Sequence, residues 1–545
     1  MIDLENTLKH KRILIVDDLV EARSSLKKMI TVLGAQDIDT ATDGREASEL
    51  LNERHYDIVF SDYNLGKGKD GQQILEEARY SKSLNASSLF ILVTGENAVD
   101  MVMGALEYEP DAYITKPFTL NMLRERLTRI FSIKEQLAAV NQALDAGEQQ
   151  QAITLAEQLL EAQPKLQLPI TRILGKLYIN AQRYQDAIGV YSRLLNQRSV
   201  AWARLGQAIC MHYLGDSLSA LALLEQNLLK HPLYVQCYDW RARILLSQGK
   251  AEEAQQQLQQ AVEISPKAVL RQMELGQLAL QNQDYAVAES AFEQAIRLGR
   301  NSCYKTSDNY LQFVNAVQHG VTPEASRNNR NRVDKAFRAI EELRQDYAGQ
   351  SDVMFETSIV EGKTHLQTAN EDGARQSAKR AEELLAQIET PQVSQQLQMT
   401  EAYIDTGQHV KAKQLLQTLK KAGLDEAASQ QLTTLENSLN QVAIREYTAE
   451  LNSRGVAAYE KGLFVEAIEA FDNATSYDEA GVSVLLNAIQ AKISFMEDTQ
   501  VDVAQLKDCY LLFKRIGPVG DSDERFERYN RLRQSYSRMK RAAGI

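Results

Sequence analysis

Four short apolar runs in the first part of the chain do not alternate between hydrophobic and polar positions: Ile13-Leu14-Ile15-Val16, Ile58-Val59-Phe60, Leu89-Phe90-Ile91-Leu92-Val93 and Ala112-Tyr113-Ile114. Such runs, bounded by polar residues, predict strands buried on both faces. Amphipathic helical stretches lie between them. Strand and helix in alternation imply right-handed crossovers and a parallel sheet, whose carboxyl edge lines a single crevice. The expected class here is α/β, doubly wound and flavodoxin-like. After residue 131 the pattern changes. The rest of the 545-residue chain is almost free of strand signals, is rich in Ala, Leu, Gln and Glu, and has few prolines. That composition predicts an all-α region.

Within it a repeat of about 34 residues is anchored on Ala152, Ala187, Ala220, Ala254 and Ala288. Gly147, Gly215 and Gly249 precede their anchors, Tyr191, Leu224, Leu258 and Phe292 follow, and Pro164, Pro232 and Pro266 lie further on. The upstream helix carries Leu174-Gly175, Leu205-Gly206 or Leu275-Gly276. Each unit reads as helix, glycine turn, helix, proline stop. Small residues sit where two helices cross closely, larger ones fill the gap to the next unit, and proline blocks continuation. Past residue 300 the signal weakens. Two helices are expected around Pro323, with a polar stretch from Ser326 to Arg332. The register returns with Gly373 and Ala378 against Gly407 and Ala412, then with Gly455, Gly462, Ala467 and Phe471. Broken spacing between Gly423 and Tyr447 predicts an irregular helix pair, and a basic helix from about Arg525 to Arg541 would cap the last repeat.

The chemistry is concentrated at the strand ends: Asp17 and Asp18, Asp62, Thr94 and Lys116. Three carboxylates held close together repel one another and become tolerable around a hard divalent cation such as Mg2+. A carboxylate beside that cation can attack a phosphoryl group, while an ammonium and a hydroxyl receive the charge that builds on its oxygens. An aspartyl phosphate would result.

This constellation resembles the receiver domain of two-component response regulators over residues 9 to 131. The resemblance implies Asp62 as phosphoacceptor; Asp17, Asp18, Asp62 and the backbone carbonyl of Asn64 as the metal shell; Thr94 and Lys116 as the phosphoryl-binding pair; and a cis bond before Pro117. Tyr113 fits two readings, the family's switch aromatic or an ordinary packed tyrosine. One departure is the loop Tyr63 to Gly71, longer than usual and without the family's common proline. Asn64 and Glu96 match the pair of fast-dephosphorylating chemotaxis receivers, so a short-lived phosphoryl group is expected. The helical repeats look like the tetratricopeptide repeat (TPR), with Ala412 and Ala467 as later anchors. Receiver followed by TPR solenoid is similar to the VieB-type architecture. The expected layout is a receiver over 1–131, about five repeats over 132–300, an irregular helical region over 301–450, and a last TPR unit with capping helices over 451–545.

Charge and composition remove other classes. The formal net charge of -12 argues against general nucleic-acid binding, which needs a basic face. Arg525, Arg528, Arg531, Arg533 and Arg538 form the one basic stretch, read as a solvated helix face. No run of roughly eighteen apolar residues and no charged-then-apolar leader occurs, so a cytoplasmic protein without membrane contact is expected. The four cysteines and seven histidines lack metal-ligand, disulfide or catalytic spacing.

Two functions follow from the resemblance. In the first, a sensor histidine kinase phosphorylates Asp62 and the solenoid's affinity for an unidentified protein partner changes. In the second, the protein is a phosphatase-like or phosphate-sink regulator of another two-component kinase or response regulator. Neither needs DNA binding or an enzymatic output domain; self-catalysed phosphorylation and dephosphorylation are the only chemistry expected. The resemblance also allows a homodimer through the receiver face.

Overall fold

A parallel sheet opens the chain in this computed structural model, which describes residues 3–95, 110–321, 327–477 and 480–544. Its strands are β1 (Arg12–Val16), β2 (Asp37–Ala41), β3 (Ile58–Asp62), β4 (Leu89–Thr94) and β5 (Ala112–Thr115), in the order β2-β1-β3-β4-β5. All four pairings are parallel. β2, at one edge, lies outside the four apolar runs: Asp37 is exposed and Ile38-Asp39-Thr40 only partly buried, so the strand needs no continuous apolar stretch. Helices α1 (Leu4–Lys9), α2 (Val20–Val32) and α5 (Leu120–Gln136) cover one face, burying Leu8, Ile30, Leu123 and Leu127 against Ile13, Ile15, Phe60 and Ile91. Helices α3 (Gly44–Glu53) and α4 (Gly71–Tyr80) cover the other, burying Ala47, Leu51, Ile74 and Leu75 against Leu14, Val59, Phe90 and Leu92.

The described chain divides into two compact units, Met1–Ala348 and Gly349–Ile545. In the first, α5 runs on without a flexible linker into helix Ala138–Asp145, and helix pairs follow from Gln149–Ala162 to Tyr285–Gly299. The anchors Ala152, Ala187, Ala220, Ala254 and Ala288 are fully buried. Their neighbours explain the other repeat positions. A Cβ on Gly206 would lie 2.4 Å from the Tyr191 ring of the preceding helix and one on Gly276 2.8 Å from the Phe292 ring of the following helix, so each glycine makes room for the aromatic of a neighbouring helix. The turn glycines Gly147, Gly215 and Gly249 have φ of +75°, +91° and +77°, the left-handed conformation that side chains disfavour. In two repeats Gln182 and Gln283 take the same place at φ +58° and +60°, which is why a glycine search skips those turns.

In the second unit Ala412 and Ala467 are fully buried behind Gly407 and Gly462, both with positive φ. Two expectations are corrected. The left-handed residue before helix Glu371–Leu385 is Ala369, one turn ahead of Gly373, which lies inside the helix. The interval from Gly423 to Tyr447 holds no helix pair: a single helix runs from Glu426 to Glu460, because no Gly or Pro interrupts it before Gly455 and Asp425 caps its start. Helices Ser307–Gly320 and Arg327–Tyr347 fill the weak region, with Pro323 and Ser326 outside the described residues. In the final helix, Phe526–Ala542, Arg528 turns inward to Asn487 and Gln490, and Arg525 pairs with Asp523; Arg533 and Arg538 stay on the surface face.

Candidate functional site

Parallel pairing brings the ends of β1, β3, β4 and β5 to one edge, and the acidic residues follow from that placement. Asp17 succeeds the last residue of β1, Asp62 ends β3, Thr94 ends β4, and Lys116 succeeds β5. One carboxylate oxygen each from Asp17, Asp18 and Asp62 lies within 4.8 Å of the others. Asp17 and Asp62 are buried and Asp18 is exposed. The Lys116 ammonium reaches into this cluster, 2.7 Å from Asp17 Oδ2 and 2.6 Å from Asp62 Oδ2. The lysine is aimed by its backbone, whose N–H donates to the Thr94 carbonyl at 2.7 Å, and by a cis Lys116-Pro117 bond.

The electrostatics follow from burial and charge. Burial pushes the Asp62 carboxyl up, partly offset by the hydrogen bond and charge of Lys116. Burial works against the Lys116 ammonium, but hydrogen bonds to Asp17 and Asp62 outweigh it and hold its pKa above the ordinary lysine value. All-oxygen carboxylate donors clustered with one cation already drawn in suit a hard divalent cation. Asp17, Asp18 and Asp62 would hold Mg2+, which would screen the acidic cluster and the oxygens of an incoming phosphoryl group.

The remaining candidates fall around this cluster. The Asn64 N–H donates to Asp62 Oδ1 at 3.3 Å, and the Asn64 side-chain oxygen accepts from Gly66 N–H, so the loop turns back over the Asp62 carboxylate. Gly66 and Gly68 take positive φ there, and Lys69 returns to pair with Glu77 and Ser48. The longer loop is thus fastened across α3 and α4. Thr94 is buried. Tyr113 packs on the Tyr63, Leu65 and Leu92 side of the sheet, and its buried hydroxyl has no hydrogen-bond partner among the described residues. Glu96 lies outside the described residues. Two contributors carried no sequence signal: Arg23 donates to the Asp17 carbonyl from α2, and Lys267 of the helical region stands over the Tyr63 ring. Each is an ordinary surface charge in the sequence and is recruited by tertiary packing.

A parallel α/β domain with this edge is of the response-regulator class. Residues 13–128 match the response regulator receiver domain, and residues 213–269 and 241–302 match the tetratricopeptide repeat. The chemotaxis protein CheY-3 of Vibrio cholerae is 32% identical over 123 residues, 23% of this chain and 93% of that protein. The aerobic respiration control protein ArcA of Escherichia coli is 35% identical over 130 residues, 24% of this chain and 52% of ArcA. The CheY-like receiver domain protein from Methanospirillum hungatei JF-1 is a similar solved structure, 26% identical, with TM-score 0.21 over 23% of this chain and 97% of that one. The chain belongs to the response regulators, with a receiver domain followed by TPR repeats. Among the described residues no helix is long and apolar enough to cross a membrane.

Proposed function

We propose that the protein accepts a phosphoryl group from a sensor histidine kinase on Asp62 and that its solenoid converts the phosphoryl state into altered binding of a protein partner. One observation carries this reading: the Lys116 ammonium bridges Asp17 and Asp62 at the carboxyl edge of the sheet. An Asp62 oxygen forms the new P–O bond as the P–N bond to the donor histidine breaks, and the leaving imidazole nitrogen keeps the electron pair and is protonated. Lys116 and the Thr94 hydroxyl would take the negative charge that gathers on the transferred oxygens. The chain's own chemistry ends there, with hydrolysis of the acyl phosphate and no separate enzymatic output.

The solenoid would supply the partner-binding surface, since stacked repeats offer an extended concave face. Capture of partners by the purified full-length protein, with and without Mg2+ and beryllofluoride, tests the reading. A partner whose capture changes in wild type and not in Asp62→Asn supports it. Capture that is unchanged by the mimic in both proteins overturns the switch and leaves a phosphate sink, which requires only the acceptor.

A further inference from the structure

Helix α4 is locked to the acceptor residue at one end and to the helical repeats along one side. At its start, a Cβ on Gly71 would lie 2.1 Å from the Asp62 carbonyl oxygen and 2.8 Å from Ser61 Oγ, and the Gly71 N–H donates to the Tyr63 carbonyl at 3.0 Å. No slack separates the helix from the end of β3. Along its side, Gln73, Glu76 and Tyr80 form a stripe at helical spacing that faces residues 298–304 of the solenoid. Gln73 Nε2 donates to the Leu298 carbonyl at 3.2 Å, the Ser302 hydroxyl to Glu76 Oε2 at 3.1 Å, and the Tyr80 and Tyr304 rings meet edge to face at 5.7 Å. Glu76 and Ser302 are both buried. The Gln73 side chain also accepts the Asp70 N–H while Asp70 caps its backbone, so one residue fastens the loop end and the solenoid together. A second tie reaches the loop start, with Lys267 Nζ 5.7 Å from the centre of the Tyr63 ring.

We infer that α4 is an output helix of this receiver: its Gln73/Glu76/Tyr80 stripe is a latch on the solenoid shoulder Leu298–Tyr304, released when Asp62 carries a phosphoryl group. The inference rests on phosphoryl acceptance at Asp62. The latch contacts are formed in this structure, and a phosphoryl group on Asp62 acts on them by favouring the open state. Displacement of the β3 end has to be taken up by α4, because Gly71 is already in contact with the acceptor backbone. Behind the latch lies a cavity of about 530 Å³ lined by Glu76 and Arg79 of α4 and by Trp202, Trp240, Arg271 and Tyr304 of the solenoid.

Cys303 sits inside the latch and is half-buried, whereas Cys210, Cys237 and Cys509 are fully buried. Burial and the neighbouring Glu76 push the Cys303 thiol up to about 11. Its alkylation rate in the full-length protein therefore reads the latch, with the other three thiols as internal controls. Mg2+ and beryllofluoride are expected to accelerate maleimide labelling of Cys303 several-fold in wild type and to leave Asp62→Asn unchanged. The pair Glu76→Gln and Tyr80→Ala, made together, is expected to raise the basal rate and remove the response while still binding beryllofluoride. Fluorine NMR separates the failures. Bound beryllofluoride with an unchanged Cys303 rate overturns the latch and spares phosphoryl acceptance; no bound beryllofluoride overturns both. Acceleration of all four thiols together would mean global unfolding and would also overturn it.

Discussion

The sheet edge and the solenoid repeat use residues in opposite ways. At the sheet edge, Asp17 and Asp62 are buried carboxylates that add repulsion to the fold and are relieved by Lys116. In the solenoid the recurring Ala and Gly let helices approach or let the chain turn between them. Buried charge is costly unless something compensates it, so its presence at matched strand ends points to chemistry. Buried alanine needs no such explanation. The first region therefore discloses what it does, and the second discloses only how it is built.

The largest expected effect separates the two regions outright. Asp62→Asn is expected to abolish phosphoryl acceptance from acetyl phosphate, measured by intact-protein mass spectrometry, with the circular dichroism spectrum unchanged. Any residual adduct on the variant would place the acceptor elsewhere. The converse substitution belongs in the solenoid: Gly206→Val drives a side chain into the Tyr191 ring, a clash expected to cost about 1–3 kcal/mol. Chemical denaturation should show the loss while the acetyl phosphate reaction on the folded protein is retained. A variant as stable as wild type would break the packing account of the repeat.

Smaller effects sharpen the repeat rule. Gln283→Gly removes a side chain from a left-handed turn position and is expected to stabilise by about 0.5 kcal/mol, the relief of strain being partly offset by a looser unfolded chain. A destabilised variant would show that the glutamine side chain matters more than the turn. Least change is expected at the buried thiols. Burial raises Cys210 and Cys509 to about 12, so thiolate is scarce at mildly alkaline pH, and iodoacetamide should label them only after denaturation.

Legibility followed the same division. The strand ends could be read directly, since β1, β3, β4 and β5 are continuous apolar runs and a parallel sheet places their ends together whatever the loops do. The edge strand β2 could not, because a half-solvated strand needs no apolar run. Repeat turns are legible where Gly marks them and hidden where Gln182, Gln283 or Ala369 adopts positive φ instead, although the anchors Ala187 and Ala288 still show. One long helix, Glu426–Glu460, stands where broken spacing predicts an irregular helix pair, because spacing reports packing partners whereas continuity depends on the absence of breakers. The contacts of α4 with Leu298, Ser302 and Tyr304 join residues more than two hundred positions apart, and no local pattern encodes them.

The central claim is that phosphoryl chemistry at Asp62 governs what the solenoid binds. Its most direct test is partner capture by the full-length protein with Mg2+ and beryllofluoride, quantified for wild type and Asp62→Asn side by side. The account expects a partner whose recovery changes with the mimic in wild type alone. Equal recovery with and without the mimic, in a protein that demonstrably binds beryllofluoride, would contradict it.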